Sequence, residues 1–119
     1  MAEAQTYTGS CHCGNVKFEV TGDMTHVISC NCSICSRTGA LLAFVPAAQF
    51  KLLKGEDAQG DYQFNKHVIH HVFCRVCGIK SFARGVARDG SATVAINTRC
   101  LDDIDLARLN VTPFDGKSR

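Results

Sequence analysis

The chain contains no apolar run approaching the roughly 20 residues that a membrane-spanning helix requires, so no transmembrane segment is expected. The stretch from Met1 to Ser10 is polar and lacks the apolar core of a signal peptide. That absence predicts a cytoplasmic chain, held in a reducing compartment where disulfides do not persist. A clustered basic patch is missing as well. The 13 Lys and Arg residues are scattered among 11 acids for a formal charge of +2, which argues against a general nucleic-acid binder. Arg84, Arg88 and Arg99 come nearest to a cluster and read as a solvated face. Nor is there a linker, a low-complexity tract or a long helical periodicity, so residues 1–119 are expected to form one domain.

Cysteine is what the chain has in excess. Seven of the eight fall into three tight groups, Cys11-His12-Cys13, Cys30-Asn31-Cys32-Ser33-Ile34-Cys35 and Cys74-Arg75-Val76-Cys77, with Cys100 left over. Cysteines one or two residues apart bridge each other only with strain, whereas the same spacings suit thiolates converging on a cation. Metal, with zinc ahead of an iron–sulfur cluster, is therefore the reading over a disulfide framework. The count divides as four plus three. Four thiolates close a tetrahedral zinc, and three leave a position for water or a substrate atom. Seven thiolates and two divalent zincs bring the net charge of the loaded protein to about −1. A core drawn from 45% apolar residues is modest, and two metals offset the cost of ordering the loops around it.

The rest of the chain reads as short strands. Val16, Phe18 and Val20 alternate with Lys17 and Glu19, and Val68, His70 and Val72 alternate with Ile69, His71 and Phe73. Leu41 to Val45 and Ala92 to Ile96 read as more fully buried strands, and glycines recur between the segments as in an all-β domain. Helix is confined to single turns, at Pro46 to Phe50 and Asp102 to Leu106.

The first and third cysteine hooks look like partners. Each ends in glycine, Gly14 after Cys13 and Gly78 after Cys77, which allows a sharp turn and amide N–H groups aimed at sulfur. Together they would clamp the N-terminal strand to the later sheet. In the middle cluster, three ligands from six residues define one face of a tetrahedron, and Ser33 to Thr38 reads as a polar loop leaving the opposite face accessible.

This combination of Cys-His-Cys-Gly, Cys-Asn-Cys-Ser-X-Cys, Phe73-Cys74-Arg75-Val76-Cys77-Gly78 and Asn97-Thr98-Arg99-Cys100-Leu101-Asp102 resembles the glutathione-dependent formaldehyde-activating enzyme family, over residues 7 to 116. Vertebrate centromere protein V looks like a relative of that family. The resemblance implies a mainly β, Mss4-like fold of small coiled sheets organised around zinc. It implies a structural zinc on Cys11, Cys13, Cys74 and Cys77, and a catalytic zinc on Cys30, Cys32 and Cys35. It also implies a carbon–sulfur lyase that joins glutathione to formaldehyde as S-hydroxymethylglutathione. Lys51 to Lys66 matches nothing assignable.

A three-thiolate zinc suits that chemistry. Its formal charge is negative, so it should acidify water less than a three-histidine site and hold a soft thiol better. A free thiol is mostly protonated at neutral pH, and metal ligation removes the proton. Histidines near the hooks, His12, His70 and His71, read first as structural, and His26, on the approach to Cys30, is the candidate fourth ligand or support. Asn31, Ser33 and Arg37 are candidates for a substrate carboxylate, with loop polarity as the equal alternative. Cys100 reads as a small buried hydrophobe. Two other functions compete with the enzyme: a structural zinc module that binds protein or nucleic acid, and a thiol sensor that oxidises and ejects its metal.

Overall fold

The computed structural model describes residues 5–63, 69–87 and 89–115. Among these, ten strands follow one another: β1 (Gln5–Ser10), β2 (Lys17–Gly22), β3 (His26–Cys30), β4 (Leu42–Pro46), β5 (Phe50–Lys54), β6 (Gln59–Tyr62), β7 (His70–Cys74), β8 (Lys80–Val86), β9 (Ala92–Asn97) and β10 (Asn110–Phe114). They form an antiparallel three-stranded sheet, β1-β2-β5, and a seven-stranded sheet, β10-β3-β4-β9-β8-β7-β6. The second is antiparallel except where edge strand β10 runs parallel to β3. The chain is mainly β, as expected, with small sheets and cysteine clusters in the Mss4-like arrangement.

Alternation in β2 drives the packing. Phe18 and Val20 are buried with Val16 just before the strand, while Lys17 is exposed. On the facing sheet Val27, Ala43, Val45, Val72, Phe82, Val94 and Ile96 complete one apolar layer. Phe18, Phe50 and Phe82 meet there with ring centroids 4.6 to 6.0 Å apart, within the range where aromatic pairs add to simple burial. Arg84 lies over Phe50 and Phe82, 5.1 and 5.2 Å from their centroids.

Several expectations need correction. The Leu41 to Val45 strand is not buried throughout: β4 turns Phe44 outward at 55% exposure, whereas Leu42 on the same face is buried beneath Cys35 and Ala40. In β7 burial does not follow the alternation: His71 and Val72 point to opposite faces and both are buried. Val68 and Arg88 lie outside the described residues. The turn at Pro46 to Phe50 is a 3₁₀ turn over Ala47–Gln49, whereas the one expected at Asp102 to Leu106 forms at Leu106–Arg108. There Asp105 caps it by accepting from the Ala107 N–H at 3.1 Å.

Gly55, just after β5, shows how closely the chain passes the neighbouring end of β2. It holds φ of +97° against the turn that carries the first hook, and an added Cβ would overlap the Asn15 carbonyl and lie 2.8 Å from the Val16 Cα. Gly55→Ala should therefore lower stability by about 3 kcal/mol, from backbone strain together with displacement of that turn. Thermal unfolding of the zinc-loaded protein checks this, and an unchanged midpoint would contradict it.

Candidate metal centres

Both outer hooks are hairpin turns. Cys11 closes the β1–β2 turn through its N–H to the Val16 carbonyl at 3.0 Å, and Cys74 closes the β7–β8 turn through its N–H to the Ile79 carbonyl at 3.0 Å. Gly14 and Gly78 adopt φ of +82° and +81°, which an L side chain resists. Their amides do not point at sulfur as expected. They donate to the Cys11 and Cys74 carbonyls, at 3.3 and 2.8 Å, and so tighten the turns. Other amides reach the thiols: Val16 donates to Cys11 Sγ at 3.3 Å, and Val76 and Cys77 donate to Cys74 Sγ at 3.3 and 3.5 Å.

The two turns bring Cys11, Cys13, Cys74 and Cys77 together with all four sulfurs within 4.8 Å of one another. Cys13 Sγ is 3.7 Å from Cys11 Sγ and 3.6 Å from Cys74 Sγ. A tetrahedral zinc with Zn–S bonds of about 2.3 Å sets its sulfurs about 3.8 Å apart, so this donor set fits that ion. The proton balance points the same way. The Cys13 and Ile79 amides hold Cys77 down to about 6. At Cys13 the Asn15 amide pulls downward, but desolvation and the neighbouring thiols push it up to about 11. Four thiolates this close repel one another unless a cation sits between them.

The middle cluster is built differently. Cys30 ends β3, and Cys35 opens a four-residue helix, α1 (Cys35–Thr38), where a polar loop was expected. The helix forms because the Ser36 N–H reaches the Cys32 carbonyl at 2.9 Å and Gly39, at φ of +70°, closes its end onto the Cys35 carbonyl at 2.9 Å. Amides of Cys32 and Cys35 donate at 3.5 Å to Cys30 Sγ and Cys32 Sγ. The three sulfurs lie within 4.8 Å of one another; Cys35 is buried while Cys30 and Cys32 are partly exposed. Desolvation, then the Cys32 thiol, pushes Cys35 up to about 12. Burial acts against ionisation of Cys32 too, but the Cys35 amide and the adjoining thiols outweigh it and hold its pKa below the usual thiol value. This set also fits a thiophilic dication. No histidine, aspartate, glutamate or further cysteine among the described residues joins the group.

His26 is therefore not brought into the cluster as a fourth ligand. It is exposed at the far end of β3, with Nδ1 3.1 Å from Asp23 Oδ2. His12 is exposed and outside the four-thiol group. His70 and His71 face opposite sides: His70 Nδ1 is 2.7 Å from Asp61 Oδ2, and His71 is buried, with its pKa lowered to about 4 by desolvation and then by Lys80. Two of the three substrate-contact candidates, Asn31 and Arg37, use their side chains in bonds within the protein. Asn31 Nδ2 donates to Asp115 Oδ1 at 3.1 Å and Arg37 Nη1 to the Ser33 carbonyl at 2.7 Å. Cys100 is partly buried beside Ser81, and desolvation raises its pKa, in keeping with a packing role. Arg84 and Arg99 do not cluster: one lies over the phenylalanines, and the other donates to the Gly39 carbonyl at 3.0 Å.

Sequence reasoning missed Lys80. It is partly buried and interacts electrostatically with Cys35, Cys32 and Cys30. Burial lowers its pKa below the ordinary lysine value, and those sulfurs offset this only in part. Nothing in the local pattern Gly78-Ile79-Lys80-Ser81 signals this, because its placement depends on a register shift.

A crystal structure of a Rhodobacter sphaeroides protein, a structural-genomics target, is similar over 89% of this chain and 97% of its own length, at 30% identity and a TM-score of 0.78. The family model for the glutathione-dependent formaldehyde-activating enzyme matches residues 6–114, which takes in all three cysteine groups. The chain belongs to the glutathione-dependent formaldehyde-activating enzyme family.

Proposed function

We propose that the protein is a zinc-dependent, carbon–sulfur lyase-type enzyme of the cytoplasm, which catalyses reversible addition of a thiol, glutathione in the first instance, to formaldehyde or another small aldehyde. The observation that carries this reading is the three-cysteine group: converging sulfurs, two of them partly exposed, with no fourth ligand from the described residues. The four-cysteine group is read as the structural site, since it ties two hairpin turns together.

In the reaction the thiol gives up its proton, the sulfur attacks the carbonyl carbon, and the C=O π electrons move to oxygen, which takes up a proton to give the hemithioacetal. Cys30, Cys32 and Cys35 would hold the zinc, which when bound supplies the positive charge that favours a thiolate at neutral pH. The remaining work belongs to the chain. The Cys32 and Cys35 amides fix the sulfurs by hydrogen bonding, and α1 anchors the third sulfur in the apolar contacts of Ala40, Leu42, Ala83 and Ala95. The Asn31 tie to Asp115 and the 3.1 Å bond from the Asn31 N–H to the Phe114 carbonyl pin the other end of the loop to β10. Arg37 brings a second cation to the exposed side of the loop, a feature suited to an anionic peptide.

Exchange NMR of formaldehyde with glutathione tests the proposal. The zinc-loaded protein should accelerate interconversion of free and hydroxymethylated glutathione well above the buffer rate, and acceleration should vanish on chelation. An exchange rate equal to that of buffer, with both metals bound, would refute the enzyme and favour the structural module or the sensor.

A further inference from the structure

β8 departs from strict alternation at its first residues. Val72 of β7 faces Phe82, yet the next β7 residue, Phe73, faces Lys80, so Ser81 is an extra residue on β8. Unbroken pleating would place Lys80 with Phe82, on the face packed against the three-stranded sheet. The bulge instead turns it to the other face, which carries His71 and its cross-strand partner Ala83. On that face Ala83 packs with Ala95, Leu42 and Ala40 around Cys35, with Cys30 and Cys32 against the same cluster. Lys80, on the same face as this cluster, interacts electrostatically with all three sulfurs. No aspartate or glutamate among the described residues forms an ion pair with Lys80. The thiol cluster is thus the anionic group with which it interacts.

Three thiolates on a divalent cation leave one net negative charge, and an anionic fourth ligand would make it two. That repulsion opposes binding of any thiolate. We infer that Lys80 is a positioning residue of the three-cysteine site, a fixed countercharge that makes the open metal position accept an anionic ligand in preference to a neutral one. The inference deepens the proposed function, on which it rests in taking the physiological anion to be a substrate thiolate. A lysine serves here because its ammonium is a compact point charge on a flexible stem.

The test uses cobalt(II) in place of zinc, because the visible absorption of cobalt reports directly on its fourth ligand. Wild type, Lys80→Met and Lys80→Arg are loaded with cobalt and titrated with thiocyanate, imidazole and glutathione, and metal content is measured throughout. Lys80→Met should need at least about tenfold more thiocyanate and glutathione for half-saturation, the loss expected when an opposite charge nearby is removed. Its imidazole affinity and its two bound metals should be unchanged, and Lys80→Arg should recover most of the anion affinity. Equal thiocyanate affinity in Lys80→Met and wild type would overturn the inference. So would a matching loss for imidazole, loss of the second metal, or a wild type whose spectrum responds to no anion. A spectrum that responds to thiocyanate in a Lys80-dependent way but not to glutathione would leave the countercharge standing and remove the thiol substrate instead.

Discussion

Cys74→Ser is expected to leave a chain that does not fold. Cys74 is fully buried at the end of β7, within the apolar layer between the sheets. Its sulfur accepts from the Val76 and Cys77 amides and lies 3.6 Å from Cys13 Sγ, so it links the two hairpin turns. Serine removes a thiolate from the four-sulfur group and leaves a buried hydroxyl. Structural zinc contributes about 10–16 kcal/mol in small zinc-dependent folds, which is comparable with the entire 5–15 kcal/mol stability of an ordinary domain. Circular dichroism and thermal melting should show no cooperative transition in the variant at 25 °C. A variant that melts cooperatively, within a few degrees of wild type, would contradict a structural role for this group.

Cys32→Ala should behave in the opposite way: the fold persists, one metal remains, and thiol addition falls by more than about 100-fold. Cys32 is partly exposed in the loop between β3 and α1 and bridges no sheets. Its loss, with that of the metal, should lower the melting midpoint by loosening the loop and α1, yet leave a cooperative transition because the two sheets and the four-sulfur group stay intact. The effect on activity is larger because disturbing even the hydrogen bonds behind a metal ligand costs 10–100-fold, and here the ligand itself is removed. Metal analysis, melting and the exchange rate, taken together, decide the matter. Retained activity with one metal would move the chemistry elsewhere, and collapse of the fold would make the three-cysteine group structural too.

The contrast between these variants follows what was legible in the sequence. Cys-X-Cys and Cys-X-X-Cys spacings are local and chemically restrictive, so the division of seven sulfurs into four and three could be read before any strand was placed. Gly14 and Gly78 marked the turns correctly, because positive φ is a local demand. Which amides reach the sulfurs was not legible, since it depends on where each hairpin closes. Strands with a half-buried alternation, such as β2, announced themselves. Others did not: β5 is Phe-Lys-Leu-Leu-Lys with no period of two, and β10 carries Pro113, tolerated only because it forms a sheet edge. α1 escaped notice because Cys-Ser-Arg-Thr has no helical stripe, and its four residues are held by a glycine cap and by the sulfur cluster. Lys80 escaped for a related reason. Its position arises from a bulge between strands, a tertiary feature that alternation within β8 contradicts.

The division into a closed and an open metal site is tested most directly by native mass spectrometry of anaerobically purified protein, with and without glutathione. The account predicts two zincs and one added glutathione, with Cys32→Ala carrying one zinc and no adduct. A single zinc in the wild type and no adduct would contradict it and leave a structural or sensing module in place of the enzyme.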